Sequence, residues 1–200
     1  MDFSPDLRQR ISRHMHAFEP RVLDAAGLRH AAVGVVVLAD DTGRACFVLT
    51  RRPSSLRRHS GQWALPGGRL EAGEQAAAAA LREIHEEIGL RLEPAAIVGR
   101  LDDYVTRSGH LVSPFVLWAG GTAELNLSPD EVDAAYRVPL ADLDAPGALR
   151  LEPLVHFDLP SVGSSVHAPT AAILYQFLEV ALRGRVVRIG DVEQPFFAWS

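Results

Sequence analysis

The sequence predicts a single α/β domain of the α+β kind over residues 1–200, and two observations carry that prediction. Residues 75–88 are a run of helix-favouring residues without proline, closed by Gly89, where a left-handed C-terminal cap is expected. Residues 32–38 and 46–50 are short and apolar and flank the turn sequence Asp40-Asp41-Thr42-Gly43, as the two strands of a hairpin do. A chain of 200 residues is long enough to bury one sizeable core around such elements.

Further elements follow from the apolar spacing on either side of this centre. An N-terminal helical extension within residues 1–30 is predicted over 5–22, with Leu7, Ile11, Met15, Phe18 and Val22 on one stripe behind a Ser4-Pro5 start. Strands are predicted at 97–104 and 111–118, joined by a polar turn at 106–109, and at 151–159; 140–143 forms a short helical turn. Residues 160–200 provide a helix at 168–183 and a tail.

Composition argues against several classes of protein. The net charge of −5 and pI of about 5.9 provide no broad footprint for nucleic acid, so no nucleic-acid partner is predicted. The longest apolar run, 31–39, is too short for a membrane span, and we expect no membrane partner. The single cysteine, Cys46, excludes an intramolecular disulfide and fits a cytoplasmic location. Aromatic residues in the tail are expected to cover the core or the partner in a homodimer.

The helix at 75–88 carries a cluster of carboxylates. At about 100° per residue, Glu83, Glu86 and Glu87 gather roughly 130° from an apolar stripe that includes Ile84 and Ile88. Like charges at this spacing repel by a few tenths of a kcal/mol, and a divalent cation that prefers hard oxygen ligands would offset the repulsion. The alternative is an ordinary solvated, glutamate-rich surface.

Two neighbouring features support a cation site on this helix. Arg82 projects beside Glu86 and is predicted to reach back to Glu74 at the start of the helix, where the dipole favours an anion. The preceding Pro66-Gly67-Gly68 allows close approach of the backbone to a ligand and offers the Gly68 carbonyl as a further metal ligand.

The whole stretch from Gly68 to Leu90 resembles the Nudix box at every defined position. The order is Gly, five residues, Glu, seven residues, then Arg-Glu-apolar-any-Glu-Glu-any-Gly-apolar. The resemblance implies the Nudix fold, a mixed β-sheet sandwiched between helices, and an enzyme that hydrolyses a diphosphate joining a nucleoside to another moiety. It also implies Mg²⁺ or Mn²⁺ held by Glu83, Glu86, Glu87 and the Gly68 carbonyl, with Arg82 and Glu74 completing the catalytic set.

Substrate choice is predicted from the segment just upstream, residues 49–68. This segment, LTRRPSSLRRHSGQWALPGG, resembles the signature that precedes the box in coenzyme A diphosphatases of the Nudix family. Arginines and a histidine before a glycine-rich turn suit the phosphates of a coenzyme A-like nucleotide. The substrate-binding residues expected in this segment are Arg52, Arg57, His59 and Gln62.

The resemblance to the coenzyme A enzymes is incomplete. Pro53, Trp63 and Leu65 depart from the signature. Hydrolysis of NADH or ADP-ribose therefore stays open, and so does a non-catalytic nucleotide sensor.

Four further candidates for substrate contacts or catalysis lie outside these segments. Ser108 lies in a loop, TRSGH, that again resembles the coenzyme A enzymes, and His110 is either a pocket wall or part of a simple hairpin turn. His167 is either a substrate contact or a helix-entry residue. Glu131 is the candidate for one further acid outside the box, as a base or metal ligand, against an ordinary surface glutamate.

Overall fold

The computed structural model describes residues 1–24, 26–53, 62–152 and 154–193. The four α-helices are α1 (Pro5–Ala17), α2 (Ala76–Ile88), α3 (Leu140–Leu143) and α4 (Thr170–Gln176), and α4 continues as a π-helix over Phe177–Leu182. A 3₁₀ turn covers Pro94–Ala96. The strands are β1 (Arg29–Ala39), β2 (Ala45–Arg51), β3 (Trp63–Ala64), β4 (Gly67–Arg69), β5 (Ile97–Arg100), β6 (Tyr104–Val105), β7 (His110–Trp118), β8 (Ala134–Pro139), β9 (Leu149–Arg150), β10 (His156–Leu159) and β11 (Ser164–His167).

The main sheet is mixed and is built around β1. Its central path runs β3-β2-β1-β7-β5, with β4 paired to β1, β6 to β7 and β8 to β2. The predicted hairpin of β1 and β2 is confirmed as an antiparallel pair, whereas β1 and β7 run parallel. Along β1, Val35 and Val37 lie in one apolar cluster and Val36 and Leu38 in the other. The strand reads as a nearly continuous apolar run because both of its faces are covered.

Helices cover the two faces of this sheet, which confirms the predicted fold class. Helix α2 packs on β1, β4 and β7 and contributes to one apolar cluster. Helix α1 and the π-helix pack against each other and contribute to the other cluster. The predicted N-terminal extension and C-terminal helix therefore form one layer, on the face opposite the glutamate-bearing helix.

Helix α1 begins as predicted but is shorter than predicted. The Ser4 hydroxyl accepts a hydrogen bond from the Leu7 amide at 3.2 Å, and Pro5 occupies the first turn. The helix ends at Ala17, and Val22, assigned to its apolar stripe, is 60% exposed. The reason is Pro20, which disfavours helical geometry at the residue before it and cannot donate a backbone hydrogen bond.

The single strand predicted at 97–104 was wrong in its extent, because two buried aspartates interrupt it. Asp102 and Asp103 are 2% and 3% exposed and separate β5 from β6. Asp102 accepts from the Arg21 amide at 2.7 Å, and Asp103 accepts from the Leu23 amide at 2.8 Å. The two carboxylates accept hydrogen bonds from the segment that follows α1, and residues 102 and 103 do not pair with a neighbouring strand.

The C-terminal region adds a second, three-stranded sheet of order β11-β10-β9. The strand predicted at 151–159 was too long: β10 begins at His156, and Leu151 is 51% exposed. The helix predicted at 168–183 is confirmed, and its predicted inward residues are buried, namely Ile173, Leu174, Phe177, Leu178, Ala181 and Leu182. The tail aromatics, Phe196, Phe197 and Trp199, lie outside the described residues.

Within the described ranges, every helix is too short or too polar to cross a bilayer.

Candidate active site

Helix α2 presents its three glutamates in three different environments. The helix begins after Gln75 and ends at Gly89, whose φ of 71° gives the expected left-handed cap. Glu87 is 7% exposed and the Glu83 side chain 15% exposed, whereas the Glu86 side chain is 49% exposed. Glu87 is buried because it turns toward the glycine segment, where the Gly67 amide donates a hydrogen bond to it at 3.0 Å.

The two glycines before the box let the helix approach the sheet. Gly67 has φ of 150°, and a Cβ there would lie 2.3 Å from the carbonyl oxygen of Ala32. A Cβ on Gly68 would lie 2.4 Å from the carboxylate of Glu83. Any side chain at these positions would therefore displace β1 or Glu83, which explains why glycine is required here.

Arg82 joins the loop to the helix in the way the sequence predicts. Its guanidinium donates to both oxygens of Glu74 at 2.9 Å, to Glu83 at 2.9 Å and to Glu86 at 2.8 Å. It also donates to the Arg69 carbonyl at 3.0 Å. The hydrogen bond with Arg82 lowers the pKa of Glu74, and the same bond raises the pKa of Arg82. This forked arrangement fixes the box loop to the first turns of α2.

Burial opposes the ionisation of Glu83 and Glu87 more strongly than the neighbouring donors favour it. Burial raises the pKa of Glu87 to about 7, against the opposing effects of the Gly67 amide and of Arg52. Burial also raises the pKa of Glu83, against the opposing effect of Arg82. The charge of Glu131 raises both pKa values further. Among the described residues, the nearby Arg82 and Arg52 do not cancel this effect of burial, and a bound cation would favour the ionised forms of both carboxyls.

The donor set suits a hard divalent cation. Glu83, Glu86 and Glu87 supply carboxylate oxygens, Gly68 lies directly against the Glu83 carboxylate, and the excess negative charge favours a cation. Across the described ranges, no three His, Cys, Asp or Glu side chains converge as a ready-made metal site. Arg82 hydrogen-bonds Glu83 and Glu86 in this conformation, so metal binding would require those side chains to reorient.

A cavity of about 380 Å³ lies between the main sheet and the C-terminal sheet, and none of the box glutamates is among its described lining residues. It brings together Arg52, Gln62 and Ser108, which were predicted to bind substrate, and it also contains His110 and His167. The remaining described lining residues are Ala31, Trp63, Ala64, Thr106, Val112, Ser164, Ser165, Ala168, Pro169 and Thr170. The candidates Arg57 and His59 lie outside the described residues.

Arg52 connects the cavity to the glutamates. Its backbone amide donates to the Gln62 carbonyl at 3.1 Å, and its charge lowers the pKa of Glu87. Its side-chain Nε is buried and has no hydrogen-bond partner among the described residues. Glu131 lies on the exposed side of the cluster, after the turn at Ser128, and acts on Glu83 and Glu87 through its charge.

The wall formed by Trp63 and the C-terminal sheet was not predicted. The Trp63 indole donates to the Ser164 hydroxyl at 3.0 Å, and the Thr170 hydroxyl donates to the Trp63 carbonyl at 3.2 Å. The indole also packs edge-on against Tyr136 at 5.2 Å between ring centroids. In the sequence, Trp63 stood out as a departure from the coenzyme A signature, but nothing local linked it to residues a hundred positions away.

The fold and the box define this protein as a member of the Nudix family. The family model for the NUDIX domain matches residues 28–157, which include the whole box and the strands around it.

Individual relatives agree with this assignment. The chain is 30% identical over 149 residues to Nudix hydrolase 3 of Caenorhabditis elegans, and the match covers 70% of this chain and 62% of that protein. It is 34% identical over 154 residues to an uncharacterised Nudix hydrolase, NudL, of Cronobacter sakazakii, covering 76% of each. A crystal structure of a Nudix hydrolase from Alicyclobacillus acidocaldarius has the same fold, with a TM-score of 0.56, 22% identity and coverage of 82% of this chain and 98% of that chain.

Proposed function

We propose that this protein hydrolyses a diphosphate that links a nucleoside to another moiety, and that coenzyme A or acyl-coenzyme A is its substrate. The products are adenosine 3′,5′-bisphosphate and 4′-phosphopantetheine or its acyl form. One observation supports the proposal: Arg52, which lines the cavity together with Gln62 and Ser108, is close enough to Glu87 for its charge to lower the pKa of that carboxyl.

The cation-binding residues in this proposal are Glu83, Glu86, Glu87 and the Gly68 carbonyl. When bound there, Mg²⁺ or Mn²⁺ supplies Lewis-acid polarisation of the diphosphate and a more acidic water. Arg82 holds Glu83 and Glu86 close to the loop through the same guanidinium that is bonded to Glu74.

The protein's own side chains position the diphosphate and remove a proton. Arg52 offers a buried donor toward the cavity and neutralises phosphate charge through a charge-assisted hydrogen bond. Glu131, exposed and close enough to perturb Glu83 and Glu87, accepts the proton of the attacking water. The water oxygen bonds to one phosphorus as the bond from that phosphorus to the bridging oxygen breaks, and no covalent enzyme intermediate forms.

A hydrolysis panel tests this function. Coenzyme A, acetyl-coenzyme A, dephospho-coenzyme A, NADH and ADP-ribose are incubated with the protein in Mg²⁺ and in Mn²⁺, and the products are separated by chromatography. We expect acetyl-coenzyme A and coenzyme A to have the highest kcat/KM of the five compounds. Preference for NADH or ADP-ribose would refute the substrate assignment, and binding of nucleotides without any hydrolysis would identify a sensor instead.

A further inference from the structure

We propose that the cavity holds the uncharged arm of the substrate, on the far side of the diphosphate from the nucleoside, and that His167 is a specificity-determining residue for that arm. The inference rests on the proposed function and assigns the two halves of the substrate to different parts of the site. For coenzyme A the arm is pantetheine, a chain with two amides and a hydroxyl.

The charge of the described part of the cavity wall suits an uncharged ligand better than the nucleotide end. Arg52 is the one formally charged side chain among the described residues that line the cavity. A 3′-phosphate carries a charge of roughly −1.5 to −2 and is best bound by several cationic donors. If Arg52 binds the diphosphate, the described wall retains no arginine for a second phosphate.

His167, one of two histidines in the described wall, adds no positive charge near neutral pH. Burial lowers the pKa of His167, and the neighbouring His156 lowers it further, with their ring centroids 5.3 Å apart. The carboxylate of Asp158, which acts in the opposite direction, is the smallest of these influences on His167. The imidazole is therefore neutral and suits an uncharged ligand.

The polar groups of the wall match amides and hydroxyls. The lining includes five hydroxyl side chains, on Thr106, Ser108, Ser164, Ser165 and Thr170. Each of these hydroxyls already makes a hydrogen bond within the protein, so a chain of amides would use the donor or acceptor positions that these bonds leave open. Apolar contact comes from the opposite side, at Ala31 and Val112.

The position of His167 in the chain supports a role in specificity. Six of the lining residues fall at 164–170, beyond the part of the chain that matches the NUDIX family model, which ends at residue 157. Trp63 and Thr170 hold this segment against the main sheet through the Trp63 carbonyl. His167 therefore lies on the C-terminal sheet, outside the residues that the family model matches.

The test compares the two product halves as ligands. Dissociation constants of 4′-phosphopantetheine and adenosine 3′,5′-bisphosphate are measured by titration calorimetry for the wild type and His167→Phe. We expect at least a tenfold weaker affinity for 4′-phosphopantetheine and less than a threefold change for the bisphosphate. His16→Phe is the matched control, because the same ring is replaced at an exposed position of α1 that does not line the cavity; it should change neither constant by more than twofold.

Two further variants keep the test decisive if His167→Phe does not fold. Ala31→Leu fills the cavity from the opposite wall and should raise the KM for coenzyme A and dephospho-coenzyme A by the same factor. His167→Arg adds a cation: stronger binding of adenosine 3′,5′-bisphosphate by this variant would show that the nucleotide end occupies the cavity and would overturn the inference. Equal losses for both product halves in His167→Phe, or none, would overturn it as well.

The wild-type hydrolysis panel separates the two proposals. If the wild type does not cleave coenzyme A, the proposed function fails, and this inference fails with it. If the wild type cleaves coenzyme A but His167→Phe weakens the binding of adenosine 3′,5′-bisphosphate more than that of 4′-phosphopantetheine, this inference alone fails.

Discussion

Replacing Glu87 by glutamine tests the central electrostatic feature of the site, a carboxylate buried without enough positive charge. Glutamine preserves the shape of the side chain and an oxygen that accepts from the Gly67 amide, which lies 3.0 Å from the present carboxylate. It removes only the ionisation. In metal-free protein at pH 8 we therefore expect Glu87→Gln to be more stable than the wild type.

The magnitude follows from the pKa of Glu87, raised by burial from 4.5 to about 7. A pKa difference of one corresponds to about 1.4 kcal/mol of free energy, so ionising Glu87 costs the folded protein about 3 kcal/mol. The folded state binds the proton more tightly than the unfolded state, so wild-type stability falls as pH rises from about 4.5 to 7. The variant lacks this pH-dependent loss of stability. For a chain of this size, its Tm at pH 8 should exceed that of the wild type by about 6–12 °C.

The assay is thermal and urea unfolding of both proteins at pH 5 and pH 8 in the presence of a chelator. The stability advantage of Glu87→Gln should be small at pH 5 and near its full value at pH 8. Glu93→Gln, at an exposed glutamate before the 3₁₀ turn, is the control and should change stability by less than about 0.5 kcal/mol at both pH values.

The addition of metal tests whether a cation offsets the charge of Glu87. Millimolar Mg²⁺ or Mn²⁺ should stabilise the wild type more than Glu87→Gln, because the cation replaces the missing positive charge. The variant should also lose turnover. A stability difference that is independent of pH, or a variant that is less stable than the wild type at pH 8, would refute the reasoning.

Three further substitutions have expected outcomes. Gly68→Ala should keep the fold by circular dichroism but lose most turnover, because its Cβ would lie 2.4 Å from the carboxylate of Glu83; unchanged kcat would contradict this contact. Arg52→Ala should weaken kcat/KM for coenzyme A roughly ten- to hundredfold in steady-state kinetics, matching about 1.5–3 kcal/mol for a lost charge-assisted hydrogen bond. Asp103→Ala should cost about 3–5 kcal/mol in urea unfolding, because the buried carboxylate holds the Leu23 amide, Arg100 and Ser113. The exposed pair at Asp133 is its control, and Asp133→Ala should cost less than about 1 kcal/mol.

The box helix and its arginine brace could be predicted from the sequence because both depend on local spacing. The helix ends at Gly89 where the cap was expected, and Arg82 reaches Glu74 eight positions earlier. Along a helix, residue spacing sets the angle between side chains, so a pattern of twenty residues is enough to place them.

The burial of Glu87 could not be predicted in this way. Helical angles alone group it with Glu83 and Glu86, and they do not state how deeply the other elements cover each side chain. Gly68 permits the close approach of α2 to β4, and the packing of α2 against β4 and β1 buries Glu87 but leaves Glu86 half-exposed. The pKa of about 7 for Glu87 follows from that packing.

The sequence by itself determined the segment of the Nudix box. Its residues lie within one continuous stretch from Gly68 to Leu90, and its geometry is that of a single helix and the loop before it. Only the tertiary structure decided the position of the cavity, which is assembled from residues near 62, 108 and 167. Its walls come from strands of two different sheets, and the contacts between them depend on how those sheets pack. No local spacing encodes such a distance, so the cavity wall became visible only in the folded chain.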